Sequence, residues 1–362
     1  MLQIIDYLEH TLIIKSKDII YIDKEKIEFD FINDYKKLYK ACSSYKYIFV
    51  DEIQNIDKRE KAILALQNEG KDVYITGSNS NLLSSNLATN LRGRYIQIQI
   101  FPLDYSEFLL FHKLNNSKDS FEKYIMFGWL PYLCNLPLRQ EIVYEYLKSI
   151  WETIILKDIV ERFSIRNVTI FNSLLQYIAN NLGNIFSSTN ITKFLKSQKI
   201  TLSSTTILWY LQYLQVALAL NECPRYDIKW KKIFEIRQKY FFTDIGIRNA
   251  IVGWFKQLDI SGILENIIFI TLTSNGWNVK VWEIANKEVD FVCEKNWELI
   301  YIQVAYLLES SETKEREFSP LMIIQDNRTK YVLSMDEKAS GSRDGIRWMN
   351  IWDWALEICK KD

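Results

Sequence analysis

Short apolar runs alternate with amphipathic stretches through the first third of the chain, and this alternation most limits what it can fold into. Asp18–Asp23 (DIIYID) reads as a strand and Phe31–Ser43 as a helix. Tyr47–Val50 (YIFV) is a second strand, apolar throughout, followed by a helix over Lys58–Glu69. Val73–Thr76 (VYIT) and Tyr95–Ile100 (YIQIQI) are further strands. Strands buried on both faces and separated by helix-length crossovers pair in parallel, with helices covering the sheet. The expected fold class is therefore α/β.

The pattern then changes. From about Asp104 to Arg166 it is helical, broken at Gly128-Trp129-Leu130-Pro131, with one long helix over Glu141–Phe163. Asn190–Gln198 and Ser203–Gln215 are two amphipathic helices joined by a short polar turn, each opening on residues suited to N-caps. That is helix-turn-helix spacing. A hairpin of Lys231–Ile236 and Lys239–Thr243 would serve as its wing. From Ile263 a helix (Leu264–Asn275) leads into strands Asn278–Glu283, Glu288–Cys293, Leu299–Val304 and Tyr331–Ser334, a second α/β unit.

Charge and rare residues exclude several classes. The 45 basic residues balance the 45 acidic ones, so global steering toward nucleic acid is not expected and any basic patch is local. Cys42, Cys134, Cys223, Cys293 and Cys359 are odd in number and form no CxxC, which fits a reduced cytoplasmic protein. The N-terminal MLQIIDYLEH lacks a basic n-region, and no apolar run approaches the ~20 residues of a membrane span. With only His10 and His112, a His-based metal site or a Ser–His triad is not expected.

The sharpest chemical motif is Tyr47-Ile48-Phe49-Val50-Asp51-Glu52, four apolar residues and then two acids. Acids at the C-terminal end of a parallel strand face the ligand crevice. In a nucleotide hydrolase such an Asp holds the magnesium shell and such a Glu polarises water; a plain solvent-facing strand end is the bland alternative. The next strand ends in Thr76-Gly77-Ser78-Asn79, whose small polar groups suit a γ-phosphate or an attacking water. Arg92 and Arg94 flank Gly93 and could stabilise transferred phosphate charge.

The run FVDEIQNIDKREKAILAL…VYITGSNSNLLSSNLATNLRGRYIQIQIFPLDYSEFL resembles the AAA+ ATPases of bacteria and archaea that carry a C-terminal domain of unknown function. The resemblance continues through SIWETIILKDIVERFSIRNV and KYFFTDIGIRNA…LENIIF…KEVDF…YIQVAY, covering nearly the whole chain. It implies ATP and Mg²⁺ as cofactors, Asp51 and Glu52 as the Walker B pair, and Ser78 or Asn79 as the sensor group. Arg94, or less directly Arg92, becomes the arginine-finger candidate, acting across subunits if the protein forms a homo-oligomeric ring.

One departure is large. Such proteins open on a strand and a GxxxxGK[ST] loop whose amides and lysine cradle phosphates. No such motif occurs in this sequence; Gly70-Lys71 lacks the earlier glycine and precedes a strand. The expectation is a truncated or wrongly started gene, with a dedicated degenerate ATPase as the alternative, and weak or absent ATP binding by the chain as it stands. The missing strand would lie in mid-sheet, leaving two neighbours without partners.

Two further motifs lie downstream. Around the helix-turn-helix, Lys193, Lys196, Lys199, Ser203 and Thr206 are candidate DNA-phosphate contacts, the alternative being a protein-binding module with an ordinary core. Glu265 on a helix, Asp290 ending a strand and Gln303-Val304-Ala305 on the next strand resemble a PD-(D/E)XK nuclease core. There an acid, an Asp and an E-x-K triplet bind magnesium. With Gln303 for the carboxylate and Ala305 for the lysine, a structural role is favoured over residual nuclease activity. The resulting division is 1–112 a truncated P-loop NTPase core, 113–166 a helical lid or linker, 167–255 a winged helix and 256–362 a degenerate restriction-endonuclease-like α/β domain.

Composition carries one oddity: 11 Gly against 11 Trp. Glycine normally runs at roughly 7% of residues. Codon bias in an AT-rich genome would deplete Gly but not add Trp. Trp129, Trp230 and Trp297 stand where the chain reads as turning, and turns favour Gly. Two explanations remain: a reassigned stop codon that makes some of these positions Gly in the cell, or family drift.

Overall fold

The computed structural model describes residues 1–78, 95–186, 188–197, 199–200, 202–226, 238–253, 259–284 and 287–359. Two compact units divide the chain, one made chiefly of residues 1–98 and the other chiefly of residues 99–362. No helix among the described residues is long and apolar enough to cross a membrane.

The first unit runs α1 (Leu2–His10), β1 (Ile19–Asp23), α2 (Tyr35–Cys42), β2 (Tyr47–Asp51), α3 (Arg59–Asn68) and β3 (Asp72–Ile75). Its three strands form a parallel sheet in the order β1-β2-β3, with Ile22 opposite Val50 and Ile48 opposite Val73. Alternation along β2 sets the packing. Ile48 and Val50 join Leu38, Cys42, Ile63 and Leu66 in one buried cluster. Phe49, between them in sequence, is fully buried and stacks on Tyr74 with ring centroids 4.5 Å apart. Helix α2 starts where Asp34 accepts hydrogen bonds from the Lys36 and Lys37 amides.

Tyr95–Ile100 is not a strand, contrary to its alternating pattern. Ile96, Ile98 and Ile100 are 90%, 78% and 83% exposed. A strand needs a ladder partner, whatever its pattern. Among the described residues β3 pairs only with β2, and no strand offers Tyr95–Ile100 a ladder.

The second unit opens with helices α4 (Tyr105–His112), α5 (Lys118–Phe127), α6 (Gln140–Thr153), α7 (Val168–Asn180), α8 (Ser188–Ser197) and α9 (Ser204–Val216). Helix α6 runs on as a π-helical segment to Glu161, so the expected long helix forms. Then come β4 (Leu220–Cys223), β5 (Arg225–Tyr226), β6 (Lys239–Phe242), α10 (Ile245–Val252) and α11 (Ile260–Ser274). The chain ends with β7 (Asn278–Ile284), β8 (Lys287–Lys295), β9 (Glu298–Val304), α12 (Ser311–Met322), β10 (Thr329–Ser334), β11 (Ser340–Arg343), β12 (Ile346–Asn350) and α13 (Ile351–Cys359). The main sheet has the order β11-β12-β10-β9-β8-β7-β5 and is mixed: β9, β10 and β12 are parallel neighbours, while β7, β8 and β9 meander. Strand β6 pairs antiparallel with β4. The expected wing partner, Lys231–Ile236, lies outside the described residues. Aromatic rings of α4 and α5 pack near the last helix; Phe121 lies 6.2 Å from Trp352, and Asn116 donates to Asp353 at 2.7 Å.

The three tryptophans singled out above part ways. Trp129 is buried, stacks on Tyr124 at 5.0 Å and donates its indole N–H to the Tyr124 carbonyl. The residue with positive φ there is Gly128, at 81°. Trp129 is therefore a core residue, and a glycine would leave a cavity. Trp230 lies outside the described residues. Trp297 is 93% exposed and sits with Asn296 in a two-residue hairpin between β8 and β9, at φ of 69° and 48°. Two positive φ values define the turn that prefers Asn-Gly. Trp297→Gly is thus expected to stabilise the protein by about 1 kcal/mol, since left-handed backbone costs a side chain roughly 1–2 kcal/mol. Thermal unfolding reads this as a rise of ~2–4 °C; an unchanged or lower midpoint contradicts the turn argument.

Helix α10 is the polar centre of the second unit. Asp244 caps it, accepting from Ile247 N at 2.8 Å and from Trp129 N at 2.6 Å. Burial pushes this carboxyl up to about 6, although its backbone hydrogen bonds pull the other way. An aspartate in the unfolded chain titrates near ~3.9. The folded protein therefore holds this proton more tightly, and the stability tied to it falls as pH rises from ~4 through ~6. Asp244→Asn should remove that slope. It also faces an amide NH₂ toward a backbone donor, lowering stability by roughly 1–3 kcal/mol. Denaturant unfolding between pH 4 and 8 checks both.

Candidate functional site

Strand β2 delivers Asp51 and Glu52 to the C-terminal edge of the parallel sheet, and the neighbouring strands supply what orients them. Tyr21, on β1, donates its hydroxyl to Asp51 Oδ2 at 3.0 Å. Thr76, just past β3, donates to Asp51 Oδ1. Burial and the Asp51 charge push the Tyr21 phenol up to about 12, so it stays a donor. Asp51 is half-buried and both its oxygens are held, yet a carboxylate has about four lone-pair sites. It keeps acceptor capacity for metal-bound waters.

Glu52 follows in a left-handed conformation, φ 53° and ψ 47°. Non-glycine residues in that region carry strain of order 1–3 kcal/mol and cluster at functional sites. Its amide donates to Thr76 Oγ1 at 3.4 Å, and Gln54 Nε2 donates to its carboxylate. The same amide group lies 3.2 Å from Ser78 Oγ. Asp51, Glu52 and Ser78 are thus brought together. Asn79, Arg92 and Arg94 lie outside the described residues. Sequence reading passed over Tyr21 and Gln54; it named Thr76 at its strand end but for contact with phosphate or water, not for orienting Asp51.

The acids fit a water-bound magnesium ion. A triphosphate is a different matter, because no GxxxxGK[ST] occurs in the 362 residues. Gly70-Lys71 offers no substitute. Lys71 donates to the Ser43 carbonyl at 2.8 Å, at the N-terminal ends of β2 and β3, opposite the acids.

A second cluster lies in the other unit. Glu265 on α11, Glu288 and Asp290 on β8 and Gln303 on β9 come together around Lys239, the first residue of β6. The Lys239 ammonium lies 2.8 Å from Glu265, 2.5 Å from Glu288 and 3.8 Å from Asp290. Its side chain is only 3% exposed. Burial alone would lower its pKa, but the three carboxylates outweigh burial and hold it well above the usual lysine value. Burial pushes Glu265 and Asp290 up, the latter strongly. Asp290 Oδ2 accepts from Val304 N at 2.8 Å, and Gln303 donates to Glu317 at 3.2 Å. Among the described residues no group of three or more His, Cys, Asp or Glu is disposed to hold a metal ion.

The sequence pointed to Glu265, Asp290 and Gln303 but missed Lys239 and Glu288. A signal was present: Lys239 opens KYFF, a wholly buried strand, where an unpaired lysine would be prohibitively costly.

Lys193 and Lys196 lie on α8 and Lys199 in the turn before α9, all exposed. Ser203 accepts from Thr206 N at 3.1 Å and caps α9, and its hydroxyl lies 2.9 Å from that of Thr206.

Comparison with known proteins adds lineage. A family profile described as "AAA domain" matches residues 1–109, and another, "Domain of unknown function (DUF8612)", matches residues 118–258. An uncharacterized protein of Haemophilus influenzae is 33% identical over 99% of this chain and 90% of its own length. An uncharacterized protein of Methanocaldococcus jannaschii is 33% identical over 83% of this chain and 71% of its own. A solved Walker-type ATPase of Pyrococcus abyssi aligns over 60% of this chain and 65% of that one at 16% identity, with a TM-score of 0.40, too low to carry weight. On identity over nearly its full length, the chain belongs to one family with the H. influenzae protein, and its N-terminal unit ties it to the AAA-type P-loop NTPases.

Proposed function

We propose that this chain is a protein of ATPase lineage whose N-terminal unit keeps the metal- and water-handling acids and whose remainder binds DNA or another protein. The observation that supports it most is the setting of Asp51. It stands at the end of a buried parallel strand, oriented by the hydroxyls of Tyr21 and Thr76. The strained Glu52 follows it. In this reading Asp51 is the magnesium-shell acid, Glu52 the water-polarising one, and Ser78 or Asn79 the sensor. Arg94, with Arg92 as the lesser candidate, would meet phosphate across a homo-oligomeric interface.

The phosphate cradle has no counterpart in the sequence, so the 362-residue chain is expected to bind Mg-ATP weakly or not at all. Isothermal titration with Mg-ATP should give no micromolar binding. A micromolar constant that Asp51→Ala abolishes would refute this.

For the C-terminal part we favour a binding module without catalysis. Helices α8 and α9 have helix-turn-helix spacing, β4 and β6 form an antiparallel pair, and three exposed lysines lie near the turn. Ser203 and Thr206 hydroxyls are engaged in capping, which favours lysine-to-phosphate contacts over base readout. The nuclease-like reading of Glu265, Asp290 and Gln303 is kept as ancestry, with the amide of Gln303 standing where a carboxylate would help hold metal. A gel-shift salt titration should then show steep salt dependence. Lys193→Ala, Lys196→Ala and Lys199→Ala together should reduce the log–log slope by about 3. Absence of binding at low salt would leave protein partners as the function of this module.

A further inference from the structure

Lys239 is remote in sequence from the acids it meets. It comes from β6, whose ladder partner is β4, whereas its counter-charges come from α11 and β8. The strand carries it into a place where burial would exclude any uncompensated cation. Glu265 and Asp290, at 13% and 9% side-chain exposure, are equally unsuited to stand there without one. The four groups make sense only as a set. Three carboxylates converge on one point, and that point is filled by an ammonium fixed to the chain.

We propose that Lys239 is the resident cation of this acid cluster, taking the place a divalent metal would need and closing the cluster to Mg²⁺ and Mn²⁺. Two observations beyond the ion pairs support this. Gln303 directs its amide nitrogen toward Glu317 and its oxygen toward the Asp290 amide, so it contributes no anionic ligand at the place where the strands meet. A cleft of about 460 Å³ opens beside the cluster, with Glu288, Gln303, Arg316 and Glu317 among its walls. Ions in solution can therefore reach the rim, and it is occupancy by Lys239 that shuts them out. The ammonium also ties β6, which is not laddered to the main sheet, to α11 and β8 through side chains.

The test uses the full chain and Mn²⁺ alone as the probe. Electron paramagnetic resonance of the wild-type protein should show no bound Mn²⁺ beyond any that Asp51→Asn removes. Stoichiometric binding that Asp290→Asn abolishes would overturn the proposal. Lys239→Met keeps length and apolar stem but deletes the charge. Its unfolding midpoint should drop, and Mn²⁺ should restore at least half the loss, while the wild-type midpoint stays unmoved. The double variant Lys239→Met/Asp290→Asn should gain nothing from Mn²⁺. If Lys239→Met does not fold alone, refolding in Mn²⁺ supplies the same reading: recovery supports the proposal and no recovery overturns it. A folded Lys239→Met that ignores Mn²⁺ overturns it too.

Discussion

The second unit depends on a buried helix that would not be stable by apolar packing alone. Asp244, Arg248 and Asn249 lie at or within α10, and all three are buried. Asp244 takes the Trp129 and Ile247 amides. Arg248 donates to the Ala179 carbonyl at 2.7 Å and pairs with Asp259 at 2.6 Å. Asn249 donates to the carbonyls of Ile125 and Met126 at 3.0 and 3.1 Å. These contacts tie the ends of α5 and α7 and the entry to α11 to one short helix. Each would leave an orphaned buried group if its partner were lost, so the arrangement is specified as a whole.

Glycine placement follows from this crowding. Gly128 and Gly246 face each other, and a Cβ on Gly128 would come within 2.6 Å of the Gly246 Cα. Gly183 and Gly262 repeat the arrangement at 2.8 Å. Four of the chain's 11 glycines are thus fixed where backbones meet. At these four positions no side chain fits. Where the need is conformational, glycine stands at some positions, as at Gly70 and Gly253, while Trp297 holds positive φ at a cost of strain without loss of the fold.

The same distinction explains what could be read from sequence. β1, β2, β3 and the β7–β9 meander follow from local alternation and turn residues, and Asp51-Glu52 was legible because strand and acids are contiguous. Tyr95–Ile100 misled because alternation reports a strand's faces and not whether a neighbour exists to pair with. Trp129 misled because Gly128-Trp129-Leu130-Pro131 looks like a turn locally, while its indole is held by Tyr124 on the preceding helix and its amide by Asp244, 115 residues later. Lys239 was missed for the same reason: its three partners lie 26 to 51 positions downstream.

The two acidic clusters show how differently a fold can keep carboxylates together. At the end of β2 Asp51 is half-buried and oriented by the neutral hydroxyl donors of Tyr21 and Thr76, which leave it acceptor capacity for a further ligand. Around β8 they are buried, and only a full positive charge offsets their desolvation. The first arrangement is open to exchange, because removing a ligand there exposes carboxylates to solvent that can replace it. The second is closed, because removing Lys239 would strand charges that solvent reaches only at the Glu288 rim. The proposed binding chemistry rests on the first arrangement, while in the second Lys239 ties β6 to α11 and β8 through side chains.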